Sequence, residues 1–250
     1  MLALFLALGS CATWTSRTPG QATAQMATIP LQESAYGDLI YRGQVFPLKG
    51  AQAQPTYVYE RRVSVRDGLQ ASTSFTRDGD QVALIETALH GPGTALQEYT
   101  QHHFQVQQVG RVSVAQGQVQ FTLIDNSGER RATESLDLPV VVGPTLFSFA
   151  FEHLSELTQG KTVPFRFAVP SRLETVGFEL SCVQPCTEPK RLKMAPTSAI
   201  IGLVVDPLFI TLEQGKLVSL EGRVPTKRRV GTDWADFDAR VTYELLADYR

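Results

Sequence analysis

Two cysteines four residues apart, in the stretch SCVQPCTEPK, are the clearest reactive pairing in the chain. Pro185 between Cys182 and Cys186 promotes a turn that brings the sulfurs together. The pair admits a disulfide, two free thiols, or half of a metal site. Zinc needs further ligands, and no second cysteine pair or nearby histidine supplies them. The disulfide is therefore the favoured reading, and neither a metal nor a cofactor is expected. Of the four histidines, His102 and His103 are neighbours on a strand and point to opposite faces, so they do not share one ion without a bulge. His90 and His153 read as surface or hydrogen-bonded residues. Gly160-Lys161-Thr162 has the letters that end a phosphate-binding loop. Ser155, however, stands where that loop needs its first glycine, and the triplet closes a helix where the motif should open one. The acidic run from Asp125 to Glu129 is too short for a calcium loop of the EF type and reads as a hairpin turn. Neither Gly-x-Ser-x-Gly nor His-Glu-x-x-His occurs. No catalytic residue is assigned. Carboxylate pairs for glycoside chemistry depend on spacing in three dimensions, which leaves an envelope hydrolase with strand-borne carboxylates open.

The third cysteine, Cys11, ends an apolar run from Leu2 to Leu8. A membrane-spanning helix takes about 20 apolar residues, whereas the core of an export signal takes about 7 to 15 and ends at small residues. Leu8-Gly9-Ser10-Cys11 resembles the lipobox of bacterial lipoproteins. That resemblance implies a diacylglyceryl group on the Cys11 thiol after cleavage; a plain signal peptide and a chance cysteine are the alternatives. Ala12 follows in place of aspartate, which by the same resemblance implies sorting to the outer membrane, facing the periplasm. Residues 11–34 are rich in Thr, Ser, Gln and Ala, lack an apolar period, and read as a lipidated, disordered tether. The expected organisation is a signal peptide over 1–10, that tether, and a single β-rich domain over 35–250.

The formal net charge is −2. Duplex binding rests on clustered Lys and Arg, and the two small basic groups, Lys190, Arg191 and Lys193, and Lys227, Arg228 and Arg229, read as solvated tips. No nucleic-acid partner is expected. A disulfide fits an oxidising compartment such as the periplasm, in agreement with export.

Period-two alternation dominates the rest. In FDARVTYEL one face carries Phe237, Ala239, Val241, Tyr243 and Leu245. KTVPFRFAV repeats the pattern with Val163, Phe165, Phe167 and Val169, and QVQFTLID with Val119, Phe121 and Leu123. YVYERRVSV does so with Tyr57, Tyr59, Val63 and Val65, a row broken by Arg61. Asp67-Gly68, Asp78-Gly79, Gln116-Gly117 and Asn126-Ser127-Gly128 read as hairpin turns, which impose antiparallel neighbours. The fold class is mainly β: a large antiparallel curled sheet or partly closed barrel with one packed helix over about 145–158. In that helix Phe147, Ala150, Phe151, Leu154 and Leu157 fall at helical spacing, with Thr145 capping the start and Gly160 ending it. TSAIIGLVVDPLF reads either as a short helix capped by Ser198 or as a buried strand.

In GPTLFSFAFEHLSELTQGKTVPFRFAVPSRLETVGFEL, DPLFITLEQGKLVSLEGR and DARVTYE the chain resembles a group of uncharacterised bacterial exported proteins. The resemblance implies a β-rich architecture and an exported location, and no activity. In predicted shape it is similar to periplasmic lipoprotein-carrier proteins, which implies a hollow for acyl chains. The expected function is that of a non-catalytic cell-envelope lipoprotein, held at the membrane by its lipid anchor and binding a lipid or other apolar ligand. Phe147, Phe151, Phe165 and Phe167 are its candidate ligand-lining residues; the alternative is that these four simply fill a core. A structural or scaffolding module is a further alternative. A transmembrane barrel is rejected, because rows such as Asp238, Arg240, Thr242 and Glu244 do not suit lipid.

Overall fold

The computed structural model of the protein describes residues 36–50, 53–203 and 205–247. The leader, Cys11 and the tether lie outside the described residues. The strands are β1 (Asp38–Pro47), β2 (Tyr57–Arg66), β3 (Leu69–Asp78), β4 (Gln81–His90), β5 (Leu96–His103), β6 (Gln108–Ala115), β7 (Gln118–Asp125), β8 (Gly128–Ser135), β9 (Val140–Val141), β10 (Val163–Val169), β11 (Glu174–Cys182), β12 (Lys190–Pro196), β13 (Leu208–Glu213), β14 (Lys216–Val230) and β15 (Asp233–Leu245). The helices are α1 (Gly143–Glu152), α2 (Leu154–Thr158) and α3 (Ala199–Gly202).

Alternation sets which side chains face inward. On β15 Phe237, Ala239 and Val241 are buried while Arg240, Thr242 and Glu244 are exposed, and on β7 Val119, Phe121 and Leu123 are buried. On β2 the inner row keeps Tyr57 and Val63 but loses Val65, which is 70% exposed beyond the covered part of the strand. Short hairpins join most neighbours. Asp67 and Gly68 take φ of 51° and 77°, the left-handed pair that a two-residue turn between right-twisted strands requires. Asp78 pairs with Gln81 as the last rung of its hairpin, so the β3–β4 turn is Gly79-Asp80, one residue later than expected.

The described residues form one 15-stranded sheet in the order β8-β7-β6-β5-β4-β3-β2-β1-β15-β14-β13-β12-β11-β10-β9. Every pairing is antiparallel except β9 with β10. Strands β1 and β15, at opposite ends of the described chain, pair in the middle, from Tyr41 opposite Leu245 to Pro47 opposite Ala239. The sheet curls without closing: β8 and β9 form its two margins and are not paired with each other.

Those margins overlap. Val141, Val163 and Phe165 join the core that surrounds α1. Val140, Val142 and Ala168, on the opposite face, join a second core with Leu96, Val112, Val119 and Phe121 of β5, β6 and β7. Strand β9, and β10 around Ala168, are thus covered on both faces. The approach is close: a Cβ on Gly110 of β6 would lie 2.4 Å from the Pro170 ring that follows β10, so this position needs glycine. At the rim, the Glu134 carboxylate of β8 accepts from the Thr175 backbone N–H (3.0 and 3.2 Å) and from its hydroxyl (2.7 Å) on β11.

Helix α1 lies in the hollow of this roll, with Leu146, Phe147, Phe149 and Ala150 buried. It starts two residues before Thr145. That side chain still serves the N-terminus, accepting from the Val142 N–H at 3.1 Å. The helical stretch is interrupted at His153, whose φ and ψ of −93° and 6° separate α1 from α2. Gly160, at a φ of 81°, follows the last turn. Helix α3 takes the helical option for its segment, with Ile200 79% and Leu203 86% exposed.

Candidate functional site

Strand register lines up a polar row across the inner face of the sheet. Leu245, Tyr41, Arg61, Ser74, Glu86 and Gln101 are successive partners from β15 through β1 to β5. Beside it runs a second row, Tyr243, Gly43, Tyr59, Thr76, Leu84 and His103. Gly43 leaves its place in that row empty of side chain. The rings of Tyr59 and Tyr243 meet edge to face across it, with centroids 5.4 Å apart. A Cβ on Gly43 would press on the Tyr243 ring at 3.2 Å.

Arg61 and Glu86 are each 5% exposed. Arg61 Nη2 donates to the Ser72 hydroxyl at 3.4 Å and to the Ser148 hydroxyl of α1 at 3.2 Å, and its Nε meets no acceptor. Glu86 accepts from the Tyr99 hydroxyl at 2.6 Å and from Ser74 at 3.3 Å, while Gln101 donates to Tyr99 at 3.1 Å. The first residue of α1 rests on this carboxylate: a Cβ on Gly143 would come within 2.9 Å of Glu86 Oε1. Helix α1 is therefore seated on polar groups at its N-terminus and at Ser148, and on apolar groups elsewhere. Burial pushes the Glu86 carboxyl above the usual range, against the opposing pull of the Tyr99, Ser74 and Gln101 hydrogen bonds. Burial likewise takes the Tyr59 phenol up to about 12.

Ser72 and His90 make the one contact here with the look of a nucleophile and its base. His90 Nδ1 lies 3.3 Å from the Gly91 carbonyl, which only accepts, so Nδ1 carries the proton and Nε2 accepts from the Ser72 hydroxyl at 3.3 Å. Burial, and then the nearby Arg61 charge, hold the His90 pKa below its ordinary value. Ser72 is nevertheless 0% exposed, and its oxygen already takes a bond from Arg61. The pair is a structural relay beneath the guanidinium.

The inner face reaches the surface at a depression of about 300 Å³ lined by Glu213, Gln214, Lys216, Leu217, Tyr243 and Leu245, among others. Tyr243 in this lining is backed by Tyr41, Tyr59 and Phe147, whose rings contact it at 6.3, 5.4 and 5.4 Å. The four phenylalanines singled out by sequence fall in different places. Phe147 is buried against Tyr243. Phe165 is fully buried on Phe149 (5.1 Å) and Phe178 (6.1 Å), and Phe167 is half-buried on Phe178 (6.2 Å). Phe151 is half-buried at the edge of the same core. They do not form one lining: Phe147 alone of the four contacts a residue of the depression through its ring, and Phe165 fills core. Cys182 and Cys186 are joined by a disulfide with Cα atoms 5.7 Å apart.

Sequence reasoning marked Arg61 as an interruption but gave it no role, and it passed over Glu86, Tyr99 and Ser148. Among the described residues, no group of three or more His, Cys, Asp or Glu is placed to hold a metal ion, and no helix is long and apolar enough to cross a membrane.

No protein-family model matches the chain, and no curated protein matches it. Among solved structures the chain is similar to a beta-barrel-like protein of domain of unknown function DUF1849 from Brucella abortus. The TM-score is 0.42 at 7% identity, covering 85% of this chain and 100% of that chain.

Proposed function

We propose that the protein is a non-catalytic lipoprotein of the bacterial cell envelope that binds a lipid or other apolar ligand on the inner face of its curled sheet. In this reading Cys11 carries the anchor, residues 11–34 form the tether, and the β-rich domain faces the periplasm from the outer membrane. The disulfide between Cys182 and Cys186 supports an oxidising compartment. The observation that carries the ligand reading is the depression lined by Tyr243, whose ring packs on Tyr41, Tyr59 and Phe147 behind it. Small-ligand sites combine apolar surface with a few placed polar groups; here Leu217, Tyr243 and Leu245 stand beside Glu213, Gln214 and Lys216. Each methylene withdrawn from water there contributes about 0.8 kcal/mol. Helix α1 fills the rest of the hollow, so a longer ligand enters by displacing part of it.

The hydrolase alternative needs two convergent carboxylates in an open cleft. Around Glu86 the bonded groups are Ser74 and Tyr99, with Gln101 behind. That is the environment of a held carboxylate.

Native mass spectrometry of the full chain extracted from its own membrane tests the ligand reading. Added lipid mass that disappears in a Tyr243→Glu variant is expected, and persistently bare wild-type protein overturns it. Fatty-acid labelling with cell fractionation tests the anchor: label in the wild type and none in Cys11→Ala is expected.

A further inference from the structure

Several exposed arginines of this protein face carboxylates: Arg130 with Asp125, Arg191 with Glu221, Arg223 with Asp238, and Arg240 with Glu221. Arg61, buried, has two hydroxyls and no carboxylate within ion-pairing distance among the described residues. A buried charge without a counter-charge is costly. Its free donor is also in a particular place. Nε and Nη2 share one edge of the guanidinium, the edge that takes a carboxylate through two parallel bonds. Here Nε meets no acceptor and Nη2 makes only the bonds of 3.2 and 3.4 Å to Ser148 and Ser72.

We infer that Arg61 is the head-group receptor of the hollow and takes the carboxylate of a long-chain fatty acid, with the Ser148 hydroxyl of α1 yielding its donor when the acid binds. This rests on the ligand reading above and names its chemistry. The path follows the strand register. Arg61 is opposite Tyr41, and Tyr41 is opposite Leu245, which lines the depression. Two strand spacings separate Arg61 from Leu245, about 10 Å. An alkyl chain whose head is at Arg61 lies across the Tyr41 and Tyr243 rings and leaves between Leu217 and Leu245. The single charge of Arg61 sets the charge of the head. Glu86 stands two strands away in the same row with its oxygens committed to Tyr99 and Ser74, so it does not compete for the guanidinium. A monoanion is neutralised by Arg61, whereas the second charge of a phosphate monoester is buried without a counter-charge, so the site selects the monoanion. Seating the acid at Arg61 withdraws one of the two polar supports of α1, which couples binding to the release of the helix.

Calorimetric titration of the full-length protein with palmitic acid, 1-hexadecanol and hexadecyl phosphate tests the inference. The acid is expected to bind at least tenfold tighter than the alcohol, as a charge-assisted bidentate pair requires. Arg61→Met is expected to remove that preference by weakening the acid at least tenfold more than the alcohol. Ser148→Ala keeps the buried charge and is expected to raise the acid-over-alcohol preference about threefold, so it decides the matter should Arg61→Met fail to fold. Equal binding of acid and alcohol, or an acid preference unmoved by Ser148→Ala, overturns the role of Arg61 and leaves the apolar reading standing. Tighter binding of the phosphate than of the acid overturns the monoanion selection. Failure of all three amphiphiles to bind overturns the ligand reading itself.

Discussion

The His103 ring donates from Nε2 to the Pro225 carbonyl at 3.0 Å, and its Nδ1 lies buried without a partner. Burial pulls its pKa down to about 4. The folded value lies below the unfolded value of about 6.5, so the neutral ring contributes stability above that pH and loses it as pH falls toward 4. The loss amounts to about 3 kcal/mol at 1.36 kcal/mol per unit. Denaturant unfolding of wild type and His103→Gln at pH 7 and pH 4.5 checks this: the variant is expected to show the smaller drop. Glu86 acts with the opposite sign. Its folded pKa is raised, so the protonated form favours folding and stability declines as pH climbs from the ordinary carboxylate range through the raised value. Glu86→Gln is expected to remove that decline. Of Arg61, Glu86, Tyr99 and Ser148 the sequence showed only Arg61, which interrupts the row Tyr57, Tyr59, Val63. Glu86 was hidden because β4 is apolar on both sides, with Ala83 and Ile85 as buried as Leu84 and Ala88, and a strand covered twice has no alternation to break.

Helix α1 was legible as an element and misread as a face. The spacing of Phe147, Ala150 and Phe151 points to one apolar stripe, yet Phe149 is buried and Phe151 only half-buried. A helix enclosed by a rolled sheet meets neighbours on most sides and carries apolar residues around most of its circumference. Phe149→Ala is therefore expected to cost about 3 to 5 kcal/mol, and Phe151→Ala less. Thermal unfolding of the two variants separates them. Residues 163–169 of β10 posed the same difficulty. Its alternation was visible through Phe165, but the burial of Ala168 on the other face reflects a second layer that no local pattern announces. The disulfide ties a short loop. Replacing both cysteines by serine is expected to cost about 2 kcal/mol by loop-closure entropy, less than the loss of Phe149.

At the scale of the molecule, hairpin turns between consecutive strands predict a meander and hence most of the strand order. The pairing of β1 with β15 was not legible, because it joins residues about two hundred positions apart and leaves no local trace. It gives the sheet a cyclic order, broken only between β8 and β9. The ends of the described chain lie side by side, with the Leu246 N–H bonded to the Ile40 carbonyl at 2.8 Å. A circular permutant that links residue 247 to residue 36 and opens between β8 and β9 is expected to keep every strand pairing. Circular dichroism and a melting midpoint close to that of the parent check it. Glu134→Ala, which removes the clamp on Thr175, is expected to speed amide exchange in β8 and not in β1 or β15.

The lapped margins bear on the ligand reading proposed above. A barrel whose last strand is stitched to its first has a circumference fixed by rungs that change only in whole residues. Here the wrap is held shut by greasy contact and a few rim bonds, so its bore is adjustable by slippage of one layer over the other, with the ladder left whole. Under the proposed ligand reading, room for cargo is made by loosening a coil, as one lets out a belt, and the girth measured by small-angle scattering is expected to grow with the length of the bound tail.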